Sequence, residues 1–107
     1  MFSLPDAIAL YFTLPADADI ADLARAFDED AAVQDEKRAH RGLRSIRDWR
    51  IDTMARTPFT AQPLSVEDRG DRIVVPATVT GAFPGSPVVL DHCFTLRGGR
   101  IAALEIA

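Results

Sequence analysis

A single cysteine, Cys93, is the only thiol in the 107 residues, so the chain cannot form an internal disulfide and suits a reducing compartment. Positive charge is short as well. The net charge is −4 and the sequence pI about 5.0, which leaves no global positive field to draw the chain to nucleic acid or to acidic lipid. No apolar run is long enough to span a bilayer. The opening "MFSLPDAIAL" has neither the basic stretch nor the long apolar stretch of a secretory signal, so no membrane partner and a cytoplasmic location are expected. There is no glycine-rich phosphate loop, no GxSxG and no cysteine-histidine set at metal spacing, and the expected protein uses neither cofactor nor metal. Repeats and low-complexity tracts are absent too. One domain over residues 1–107 follows, long enough for a single core.

What is present is the composition of a folded globule: 48% apolar and 26% charged residues, too apolar for a disordered chain. "PDAIALYFTL" (5–14) predicts a first helix opened by Pro5 and ended by Pro15, with Ile8, Tyr11 and Phe12 as its apolar stripe. Asp19 predicts the N-cap of a second helix carrying Ile20, Leu23, Ala24 and Phe27 at helical spacing. "AAVQD" (31–35) changes period and predicts a short strand ending at Asp35. A third helix is expected over 43–56, with Ile46, Trp49 and Thr53 on its inner side. The basic residues of "KRAHRGLRSIRDWR" (37–50) are read as a solvated helix face beside an acidic turn.

From Pro58 onward strands and turns alternate: "FTAQPLSVED", "IVVPATVTGAF", "VVLDHCFTL" and "RIAALEIA", separated by "RGDR", "PGSP" and "RGG". Pro63 and Pro76 lack ladder donors and are expected at an edge or a bulge. Helices first and a meander afterwards predict an α+β fold, helices packed on one face of a curved antiparallel sheet.

Alternation along "VVLDHCF" (88–94) sends Val89, Asp91 and Cys93 to one face and Leu90, His92 and Phe94 to the other. A carboxylate in such a strand must find partners or take up a proton if its face is buried. Asp91 is therefore a candidate neutral hydrogen-bond donor, or alternatively the ion-pair partner of an arginine such as Arg100. His40 and His92 are expected at a surface or interface, and Cys93 as a small apolar side chain. The remaining polar candidates for a pocket between helices and sheet are Asp35 and Tyr11.

"ALYFTLPADADIADLARAFDEDAAVQDE", "HRGLRSIRDW", "GAFPG" and "LDHCFTLRGGRIAALEI" together resemble the nuclear transport factor 2-like superfamily, the SnoaL-like group, over nearly the whole chain. The resemblance implies a cone-shaped half-barrel, three N-terminal helices on the curved sheet, commonly assembled as a homodimer. Within it, Tyr11, Asp35 and Asp91 are similar to the polar residues of the ketosteroid isomerase branch. That likeness implies Asp35 as the general base and Tyr11 and Asp91 as oxyanion donors; ketosteroid isomerase is itself the standard example of a neutral aspartic acid in that role. Glu36 stands where those isomerases usually carry proline, and "VVPATVTG" brings no aromatic walls, which argues against a steroid. The expected ligand is a small apolar carbonyl compound, with Trp49, Phe27, Phe59, Val79 and Cys93 as candidate pocket walls. SnoaL-like cyclase or hydratase chemistry, and a non-catalytic dimeric ligand-binding module, are the alternatives.

Overall fold

In the computed structural model, which describes residues 2–107, each short helix has local start and stop signals. Asp6–Thr13 is α1, preceded by Pro5 and carrying Asp6 in its first turn, where an acid faces the positive helix end. Leu14 leaves the helix with ψ 140°, as the residue before a proline is driven to do. Asp19 caps α2, Ile20–Ala26, its side chain accepting from the Asp22 amide at 2.9 Å. Strand β1, Phe27–Asp35, follows at once. It is longer than the predicted strand and takes Phe27 away from the helix. Its acidic "DED" has little strand propensity, but pairing with the last strand of the chain holds it there, across a register shift between Phe27 and Ala32.

Strand β2, Arg38–Arg41, was not predicted. It pairs back on β1 through a two-residue turn whose Glu36 and Lys37 both have positive φ, 52° and 64°. Turns of that hand match the twist of a hairpin but usually recruit asparagine and glycine, which is why "DEKR" gave no hairpin signal. Helix α3, Leu43–Arg56, has its predicted bounds. Strands β3 (Phe59–Pro63), β4 (Glu67–Asp68), β5 (Ile73–Gly81), β6 (Val88–Arg97) and β7 (Arg100–Ile106) complete the chain.

The sheet runs β2-β1-β7-β6-β5-β3, with β4 beside β5. All pairings are antiparallel except β1 with β7, which run parallel and bring the two halves of the sequence together. The three helices pack on this curved, unclosed sheet, the α+β architecture expected. Pro63 lies on edge strand β3, and Pro76 sits where the neighbour of β5 changes from β3 to β4, so neither deprives the ladder of a donor it needs. Ile8, Leu23, Phe27, Ile46, Phe94, Ile101 and Leu104 form the core between helices and sheet.

Two expectations fail here. The phase of β6 is set by Phe94, fully buried against α1, and His92 is drawn in with it at 3% exposure. A period of two then sends Val89, 57% exposed, and Asp91 to the outer face, with Cys93 half-buried beside them. His92, not Asp91, is the ionisable residue this strand turns inward. The basic stretch is also not one helix face. Arg38 and Arg41 lie exposed on β2, while Arg47 and Arg50 of α3 point toward the α1–α2 loop and donate to its carbonyls, Arg47 Nε to Ala18 at 3.1 Å and an Arg50 amino group to Leu14 at 3.0 Å.

Candidate functional site

The open end of the cone is a cavity of about 540 Å³ between α1, α3 and the inner sheet face. Apolar side chains make most of its wall, among them Phe12, Met54, Phe59, Val79, Phe83 and Leu90. Polar groups that line it include Tyr11 on α1, Asp35 at the end of β1, Arg50 with Thr53 on α3, and His92 on β6.

Tyr11 lies edge-on to Phe12, Phe94 and Phe27, with ring centroids 5.0, 5.6 and 6.0 Å away. The guanidinium carbon of Arg50 stands 5.3 Å from the centre of its ring, a cation-π distance. Burial pushes the Tyr11 hydroxyl up to about 12, against the pull of Arg50 and with a further push from the charge of Asp35. At neutral pH it is therefore a donor, never a phenolate.

Asp35 is half-buried and oriented by Trp49, whose Nε1 donates to its Oδ2 at 3.1 Å. Trp49 in turn stacks on His40 of β2, centroids 5.7 Å apart and planes 26° from parallel. That sandwich fixes one carboxylate oxygen and leaves Oδ1 without a hydrogen bond among the described residues. His92 faces the same cavity, its Nδ1 3.1 Å from the Leu90 carbonyl. A proton on Nδ1 satisfies this contact, and that tautomer carries its lone pair on Nε2. Burial holds its pKa below the ordinary histidine range, more strongly than the Leu90 carbonyl raises it, so the neutral ring is the stable form.

The structure thus brings together Tyr11, Asp35, Trp49, Phe59 and Val79 of the predicted set. Phe27 is buried in the core behind Tyr11, 1% exposed and not on the cavity wall. Asp91 and Cys93 are excluded by the phase of β6. Asp91 makes no pair with Arg100, which donates to the Ala24 carbonyl instead; the Asp91 backbone closes the sheet end through mutual bonds with Ala107, both 3.0 Å. Arg50 and His92 are the site residues that sequence reasoning missed. A signal existed for Arg50: it lies on the same helical stripe as Ile46, Trp49 and Thr53. Among the described residues, no three histidine, cysteine or acidic side chains converge as a metal site.

Residues 8–104 match the SnoaL-like domain. The chain belongs to the SnoaL-like family. Over 97% of its length and 95% of the other chain, this SnoaL-like protein is 40% identical to a crystal structure described as a "putative polyketide cyclase", protein SMa1630 from Sinorhizobium meliloti, with a TM-score of 0.89. A protein of ketosteroid isomerase-like fold from Catenulispora acidiphila, solved with trimethylamine, covers 98% of this chain and 86% of its own at 17% identity and a TM-score of 0.80; that likeness concerns the fold alone. No curated protein matches the sequence. The SnoaL-like fold thus holds the cavity at its open end, and no helix among the described residues is long and apolar enough to cross a membrane.

Proposed function

We propose that the cavity binds a small apolar carbonyl compound and catalyses proton transfer on it through an enolate. Asp35 removes a proton from the carbon next to the carbonyl, the C–H electron pair moves into the new C–C double bond, and the carbonyl oxygen takes the negative charge. Tyr11 donates a hydrogen bond to that oxygen. The observation that carries this reading is the pairing of a carboxylate with one free oxygen and a tyrosine held protonated, one on β1 and one on α1, in the lining of one largely apolar cavity. Return of the proton to another carbon gives isomerisation; attack of the enolate carbon on a second carbonyl of the same molecule gives ring closure. The 40% identity to a protein described as a cyclase supports keeping ring closure as the second reading. With Asp91 outside, His92 is the inward group of β6, and its Nε2 supplies a second acceptor for a proton in transit. A homodimer is part of this proposal, supported by the exposed Val89 and the half-exposed Cys93 and Ala103 on the outer sheet face.

Exchange of solvent deuterium into the α-carbons of 3-cyclohexenone, followed by proton NMR, tests the common first step whichever product forms. Asp35→Asn is expected to slow the exchange by about 10² or more, the ordinary worth of a positioned base, with the melting temperature nearly unchanged. Exchange at the wild-type rate in that variant would remove Asp35 from the mechanism.

A further inference from the structure

Arg50 and Thr53 line the cavity, and each holds a buried polar atom with no hydrogen-bond partner among the described residues, Nε and Oγ1 respectively. Both belong to α3 and stand three residues apart, so they neighbour each other along one helix face. Helical threonines commonly bond back to the carbonyl one turn earlier, as Thr13 does to Ala9 at 2.9 Å. Thr53 does not. Arg50 spends one amino group on the Leu14 and Pro15 carbonyls, at 3.0 and 3.3 Å, and these bonds fix the guanidinium without neutralising it. Among the described residues it has no carboxylate within ion-pair distance. Arg50 and Thr53 are half-buried residues one turn apart, and the enclosed Nε of the one and hydroxyl of the other have no acceptor among the described residues, a state that a polar ligand group would relieve.

We propose that the ligand of this cavity is an organic monocarboxylate, its carboxylate accepting from Arg50 Nε and Thr53 Oγ1 and its apolar body lying against Met54, Phe59, Val79 and Leu90. The proposal rests on the cavity being the ligand site and adds the chemical class of what enters it. A monoanion fits better than a phosphate. Of the two arginines that line the cavity, Arg56 is paired with Asp52 and Arg50 has no carboxylate partner among the described residues; Asp35 already contributes a negative charge to the same cavity, and a dianion would leave one charge without a partner in a mostly apolar space. A carboxylate also matches the donors in number, one oxygen for each.

Trp49 is the only tryptophan and lines the cavity, so its fluorescence reports occupancy directly. Octanoate and octanamide, equal in length and differing in charge, are the probes. Octanoate is expected to bind about tenfold more tightly, as a charge-assisted contact should exceed a neutral one. Arg50→Gln is expected to abolish the preference. Because Arg50 also ties down the α1–α2 loop, Thr53→Val is the second variant: it removes only an unbonded hydroxyl, and should weaken octanoate severalfold while leaving octanamide binding unchanged and the melting temperature equal or higher. Equal affinity for the two probes, a preference that survives both substitutions, or no saturable binding of octanoate at millimolar concentration would each overturn the proposal. Proton exchange on cyclohexenone and selection of octanoate are separate readouts, so either reading can fail alone.

Discussion

Tyr11 is the only tyrosine in the chain, and its titration can be followed without interference from another phenol. Its hydroxyl is pushed up to about 12 by burial, whereas in the unfolded chain it titrates at about 10. Below the unfolded value both states are protonated and the stabilisation is complete. As pH rises from there through the folded value, the unfolded chain ionises first and that stability is lost. The near-ultraviolet phenolate band should therefore appear near pH 12 while circular dichroism remains native; a midpoint near 10 in the folded protein would show that the ring is solvated. The residue scale is also where sequence reasoning divided. Tyr11 and Asp35 were legible because a helical stripe and a strand end each give one direction. Asp91 was not, because alternation names two sets of side chains and is silent on which set faces the helices.

Among the elements, the chain leaving α3 packs closely on the end of β5. A Cβ built on Gly81 would lie 2.6 Å from the Pro58 carbonyl oxygen and 2.9 Å from the Phe59 Cβ, both on the neighbouring chain segment. Gly81→Ala must push β3 and β5 apart, and overpacking of that kind costs about 1–3 kcal/mol. Urea unfolding should show a lower midpoint at unchanged slope, and octanoate should bind more weakly because Phe59 and Phe83 move with the strand ends. An unchanged midpoint would mean that the two strands yield without cost. Helix α3 was readable from its period, and β5 to β7 from their turns. Hairpin β1–β2 was not, since Glu36 and Lys37 adopt the left-handed region without the glycine or asparagine that announces it.

At the scale of the whole molecule, the helices occupy the inner sheet face and leave the outer one open. Val89 projects from it at 57% exposure, with Asp91 beside it on β6. The proposed homodimer should appear as a doubled mass in sedimentation equilibrium, and Val89→Lys on this face should raise the dissociation constant about tenfold or more if the face is the interface. A wild-type monomer at all concentrations would overturn the dimer; a dimer indifferent to Val89→Lys would place the interface elsewhere.

By itself the sequence determined the three helices, the long strands of the second half, the α+β class and the kinship, because helical and strand periods, caps and turns are local and act over a few residues. Tertiary structure decided the rest. The parallel pairing of β1 with β7 joins residues about seventy positions apart and has no local signature. The burial of Phe94 against α1 chose the inward face of β6, placing His92 in the cavity and Asp91 outside it. The same packing turned two positions of a basic run, Arg47 and Arg50, toward the loop they hold, and left Arg50 Nε with no acceptor. A period fixes which side chains share a face; only the assembled core fixes which face is inside.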